Sequence, residues 1–143
     1  MPVNQKVKFH SLVKSLPLTN RNKLRRFIEY LFKSHGKKLE SLQYIFCSDR
    51  YLLKINRRFL NHDTLTDIVT FDLSESAGVV GEVYISIDRV RENAARFEVS
   101  FTRELHRVIF HGALHLCDFS DKTKSQKAIM TVQEDLCLTR YYR

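Results

Sequence analysis

The sequence predicts an α+β (mixed α/β) fold in which a small mixed sheet of about four strands is covered by helices. Three observations point there. Strand-like segments lie early in the chain and helix-like segments late, and two of the strand segments follow one another across a short turn. With two Pro and four Gly among 143 residues, no Pro/Gly-rich linker separates a second unit. A hydrophobic content of 43%, with ten Phe and six Tyr, suffices for one core, so residues 1–143 read as a single domain.

Residues 7–12 can form a first strand. Thr19 is a good N-cap, and the segment up to Lys33 sets Leu24, Phe27, Ile28 and Leu31 at i, i+3, i+4 and i+7. That is an amphipathic helix, stopped by His35-Gly36, and its other face carries Arg21, Lys23, Arg25, Arg26 and Lys33. Residues 42–47 read as a buried strand. Asp49 can cap a short helix through Leu60, with Leu52, Leu53, Ile55, Phe59 and Leu60 as its apolar set. The β-branched stretch 67–73, a turn at 74–78 and a second stretch at 82–87 predict a hairpin. Asp88 or Arg89 begins a helix to about Glu98, and Ser100 or Thr102 begins another through Cys117. Residues 125–141 form the last, with Ile129, Val132 and Leu136 on one side.

The charge is uneven. Residues 1–60 hold 14 Lys and Arg against three acidic residues, or +11, whereas residues 61–143 hold 10 against 13, or −3, which together make the net +8. Such a split suits a chain in which one part attracts a polyanion and another holds a cation or positions carboxylates. No run of about 18 apolar residues exists, and the first nine residues lack an apolar signal core, so neither a membrane span nor secretion is expected and the expected location is cytoplasmic. Cys47, Cys117 and Cys137 form no C-x-x-C and read as reduced thiols.

The chemistry concentrates in Phe-His-Gly-Ala-Leu-His-Leu-Cys-Asp-Phe-Ser-Asp, residues 110–121. His111 and His115, four apart in a helix, share a face and can bind one ion; Asp121 follows a chain turn and can come back as a third ligand. Three protein ligands plus water is the usual catalytic zinc arrangement. Asp118 is the rival carboxylate. In H-E-x-x-H peptidases a Glu base follows the first His, but here that place is Gly112, so a zincin-like metal-site helix would lack the base for peptide hydrolysis. Gly inside a helix costs about 1 kcal/mol relative to Ala, which suggests that another helix or a substrate passes close to residue 112. His10, His35, His62 and His106 read as surface or satisfied imidazoles, and Cys117 as packing.

The ordered set formed by Asn56 to Phe59, Thr66 to Phe71, Gly81 to Ile85 and His111-Gly-x-Leu-His115-Leu, with a ligand at 121, resembles the YbeY family of bacterial rRNA maturation factors over about residues 42–140. The resemblance implies a single-strand-directed, metal-dependent endoribonuclease with Zn2+ as the usual ion, acting in small-subunit rRNA end processing and ribosome quality control. Single-stranded RNA, an rRNA precursor and the small ribosomal subunit or its proteins would be the partners. On this pattern His111 and His115 are metal ligands, and Asp121 stands where the family usually has a third His in a Gly-Tyr-Asp-His ending. Two imidazoles with one carboxylate make a more anionic ligand set than three imidazoles, which makes the bound water less acidic and brings Mn2+ or Mg2+ in as second candidates. The family's Arg after the Tyr/Phe of the Asn56 segment is here Leu60. Arg21, Arg25, Arg26, Arg57 and Arg58 are the candidate RNA contacts. The alternative is a non-catalytic RNA-binding ribosome-assembly factor with a structural metal, a reading that the missing Arg favours.

Overall fold

In the computed structural model, which describes residues 5–16 and 18–143, the strands are β1 (Val7–Ser11), β2 (Leu39–Cys47), β3 (Ile68–Asp72) and β4 (Val79–Ser86). The helices are α1 (Arg21–Ser34), α2 (Asp49–Ile55), α3 (Ile87–Arg96), α4 (Phe101–Leu116) and α5 (Lys124–Tyr141), and α2 continues into a π-helical turn at Asn56–Leu60. The sheet order is β1-β2-β4-β3. β1, β2 and β4 run parallel, and β3 pairs antiparallel with β4 at the edge, so the mixed four-strand sheet and its hairpin are as the sequence predicts.

Alternation along β4 divides the core. Val83 and Ile85 belong to the main cluster with α1 and α4, whereas Tyr84 turns to the opposite face and packs with Cys47, Leu52, Val69 and Phe71 under α2. α4 lies across the sheet through Leu105, Ile109, Ala113 and Leu114, all fully buried, and Tyr44 Oη donates to Ile109 O at 2.8 Å. Gly112 lets this crossing happen. A Cβ there would stand 2.8 Å from Val83 Cγ1 and 3.1 Å from Ile68 Cδ1. The close neighbour is thus the sheet, neither the helix nor the substrate that the sequence suggested.

The capping expectations need correction in detail. α1 starts after Asn20, a left-handed residue (φ 52°) with no side-chain cap, and not after Thr19; Asn tolerates that conformation better than a β-branched Thr. Its end is a Schellman turn on Gly36 (φ 70°), where Lys37 N–H reaches Phe32 O. Ser48, and not Asp49, caps α2 through Tyr51 N–H, which leaves Asp49 to accept from Ser86 Oγ and Arg89 Nε. Ser86 and Ser100 cap α3 and α4, and Thr123 with Gln126 forms a capping box on α5.

Ile129, Val132 and Leu136 share one side of α5, but that side is exposed, and the buried face is Met130, Glu134, Cys137, Leu138 and Tyr141. The periodic set at 130, 134, 137, 138 and 141 is interrupted by a charged residue, which disguises it as polar.

Candidate metal centre

The 3.6-residue repeat of α4 stacks His111 and His115 on one face, with ring centroids 4.5 Å apart and planes at 82°. α4 then ends in a second Schellman turn, with Asp118 at φ 73°: its N–H donates to His115 O, and Phe119 N–H donates to Leu114 O. This reversal separates the two rival carboxylates. Asp118 is exposed and pairs with Lys37, at the end of α1. Asp121 comes back to the helix, its Oδ2 3.2 Å from His111 Nε2 and 3.4 Å from His115 Nε2.

Both imidazoles have the opposite nitrogen engaged. His115 Nδ1 lies 2.9 Å from Phe119 O, and a carbonyl only accepts, so Nδ1 carries the proton. His111 Nδ1 lies 2.5 Å from Glu134 Oε2. The two Nε2 atoms and the Asp121 oxygen are therefore the free donors, and all lie within 4.8 Å of one another. A tetrahedral ion with bonds of about 2.1 Å needs donors roughly 3.4 Å apart, so the carboxylate-to-imidazole spacings suit it without rearrangement. Among the described residues no other group of three such donors is gathered this closely.

The electrostatics of the two rings differ. Burial opposes charge on His111, but Glu134, with Asp121 and Asp67 behind it, outweighs burial and raises the pKa above its ordinary value. Burial lowers that of His115, and the neighbouring His111 adds to the effect.

These donors sit in a cleft of about 710 Å³ between α4 and the β3 edge, bordered by residues 56–66 and by Asp121, Lys122 and Glu134. Because Ser86 N–H donates to Asp67 O and Leu73 N–H to Val80 O, the odd-numbered residues of β3 turn their backbone to β4 and the even-numbered ones turn theirs outward at the edge. Thr70, one of the outward residues, has a buried hydroxyl with no partner among the described residues. The lining holds five carboxylates, Asp67, Asp72, Glu104, Asp121 and Glu134, against two cations, Arg107 and Lys122. Burial pushes Glu104 up to about 7, and it also raises Asp67, which accepts from Asn93 Nδ2 at 3.4 Å.

None of the five arginines singled out by the sequence lines this cleft. Arg21 Nε donates to Leu18 O, Arg25 Nε donates to Val7 O with its guanidinium 5.2 Å from the Phe9 ring, and Arg26 borders a shallow depression with Lys6 and Glu29. Arg57 pairs with Asp63 at 2.5 Å, and Arg58 lies over the Phe59 ring. Leu60 and His62 reach the cleft instead. Sequence reasoning passed over Glu104, Arg107, Asp67 and Glu134. Two signals were available: Glu104 and Arg107 stand at i−7 and i−4 from His111 on the same helix, and Glu134 interrupts an apolar stripe.

Comparison with known proteins gives the family of the chain. The family model described as Endoribonuclease YbeY matches residues 9–142. A Flavobacterium psychrophilum protein named Endoribonuclease YbeY is 47% identical over 109 residues, 76% of this chain and 78% of its own length. A Porphyromonas gingivalis protein of the same name is 42% identical over 133 residues, 93% of this chain and 88% of its own. The solution structure of a Thermotoga maritima protein superposes with a TM-score of 0.60 at 26% identity, covering 95% of this chain and 89% of that one. With a family match over almost its whole length and relatives above 40% identity, the chain belongs to the YbeY endoribonuclease family.

Proposed function

We propose that the protein is a single-strand-specific, metal-dependent endoribonuclease that acts in the cytoplasm on small-subunit rRNA ends and in ribosome quality control. The observation that carries this reading is the convergence of His111 Nε2, His115 Nε2 and Asp121 Oδ2 in an open cleft of a chain whose relatives are named endoribonucleases. Zn2+ suits the donor set best, with Mn2+ and Mg2+ next because one donor is a carboxylate. When bound, such an ion supplies a Lewis acid for a phosphoryl oxygen and a water of lowered pKa.

The chain's own residues do the rest. His111, His115 and Asp121 would hold the ion, and the second hydrogen bonds of the two imidazoles fix the rings. Glu104, with its pKa near 7, can hold or release a proton at neutral pH; it lies two helical turns from His111, about 10 Å along the axis, and so addresses a neighbouring nucleotide. Arg21, Arg25, Arg26, Arg57 and Arg58 neutralise phosphates of the strand outside the cleft, which makes affinity steeply salt-dependent. Base identity is read weakly, since backbone contacts tolerate any base.

The test is cleavage of a single-stranded rRNA fragment by the purified protein, with and without a chelator, alongside His115→Ala. Cleavage should vanish with the chelator and in His115→Ala; activity that survives complete metal removal contradicts the proposal. Leu60 at the cleft, with Arg57 and Arg58 turned elsewhere, favours a second reading: a ribosome-assembly factor that binds RNA around a structural metal. In that case chelation lowers the melting temperature, RNA still binds, and no bond is cut.

A further inference from the structure

We propose that Glu134, clamped by Arg107, is a positioning residue for the metal centre: it holds His111 as the Nδ1–H tautomer, so that Nε2 is the lone pair presented beside Asp121. The proposal rests on the metal-binding part of the reading above. Glu134 comes from α5, which contributes no ligand, and its residue is only 7% exposed on an apolar face. A carboxylate buried there is costly unless both oxygens are satisfied. They are, and by different partners: Oε1 accepts from Arg107 Nη1 at 2.8 Å, and Oε2 lies 2.5 Å from His111 Nδ1. An ionised carboxylate can only accept, so the imidazole must donate through Nδ1. Arg107 gives its other terminal nitrogen, Nη2, to Asp135 at 2.7 Å. Although Arg107 borders the cleft, its guanidinium is committed to two acids of α5 and serves as a clamp more than as a phosphate contact.

The geometry makes Glu134→Gln an informative near-isostere. Arg107 needs an acceptor and claims the amide oxygen, which leaves the NH2 group facing His111. That group forces Nδ1 to accept and moves the imidazole proton to Nε2, the atom that a metal needs. Removing the clamp as well frees the amide to flip, so Arg107→Met in the Gln background should recover part of the loss. A merely structural Arg107 to Glu134 bridge predicts the reverse: lower melting temperature, unchanged metal affinity and no recovery in the double variant.

The experiment measures Zn2+ affinity by competition with a chromophoric chelator in the wild type, Glu134→Gln and the double variant, together with the 15N shifts of His111 in metal-free wild type at alkaline pH. Glu134→Gln should bind Zn2+ about 10- to 100-fold more weakly, as outer-shell changes at metal sites do, and wild-type His111 should show Nδ1–H. If wild type binds Zn2+ and the Gln variant stays within about twofold of it, or if His111 carries its proton on Nε2, the positioning role is overturned while the metal reading stands. If wild type binds no Zn2+, both fall. Should the Gln variant fail to fold, the wild-type tautomer alone decides.

Discussion

Lys37 and Asp118 form an ion pair that joins the C-terminal turn of α1 to the C-terminal turn of α4. Both turns are Schellman motifs with a left-handed residue at their tip, Gly36 in one and Asp118 in the other. Asp118 lies outside the cleft, and Asp121 is the carboxylate facing the two imidazoles. Asp121→Asn should therefore lower Zn2+ affinity by more than the roughly 10- to 100-fold typical of outer-shell changes, whereas Asp118→Asn should leave it unchanged. Competitive chelator titration of the two variants checks this, and equal losses would return Asp118 to candidacy.

Gly112 is held to zero side chain by the sheet beneath it. Alanine would gain up to about 1 kcal/mol of helix propensity, but its Cβ would meet the stiff, β-branched Val83 at 2.8 Å, and overpacking of this kind costs about 1–3 kcal/mol. The second effect wins. Gly112→Ala should be less stable by about 1 kcal/mol in urea denaturation, with a further loss of metal affinity if α4 moves to relieve the contact.

Glu104 sets a pH dependence of folding. Its pKa rises from 4.5 to about 7 on folding because burial disfavours the ionised form. A carboxyl raised in this way favours the folded chain while protonated; the contribution is complete below about pH 4.5 and is lost as pH climbs through about 7. The shift corresponds to about 3 kcal/mol, so metal-free Glu104→Gln should be more stable than wild type by up to that amount at about pH 8 and nearly equal to it at about pH 4.5. Chemical denaturation at both pH values is the measurement.

RNA affinity should depend on the ion. With five carboxylates against two cations, the cleft repels a phosphodiester chain until a divalent cation offsets most of the excess. Chelation should weaken binding of a short single-stranded RNA even where no cleavage is measured. Arg57→Ala and Arg58→Ala should each reduce the slope of log affinity against log salt by about 1, without altering Zn2+ binding. A slope unchanged in both variants would remove these two from the RNA path.

Much of the fold is local and so could be read from the chain. The helix through Leu24, Phe27, Ile28 and Leu31 and the hairpin of β3 and β4 follow from periodicity and turn chemistry. The pairing of His111 with His115 is equally local, since 3.6 residues per turn brings i and i+4 together in any helix. The charge split also has a spatial counterpart. Most of the cleft lining, and every carboxylate in it, comes from the acidic second half, while the first half places its arginines elsewhere.

What the chain determined by itself was therefore spacing within an element: amphipathic faces, a hairpin, two imidazoles in line. Tertiary packing decided which partners reached them. Asp121 comes forward in place of Asp118 because of the left-handed turn that ends α4, which leaves Asp118 beside Lys37 past the end of α1, and Glu134 was brought to His111 by the docking of α5 on α4. The same docking exposed Ile129, Val132 and Leu136, which the helical pattern alone would have buried. The physical reason is range. Backbone geometry couples residues three or four apart, whereas an ion pair or a buried carboxylate across two helices exists only once the whole apolar interface has placed them.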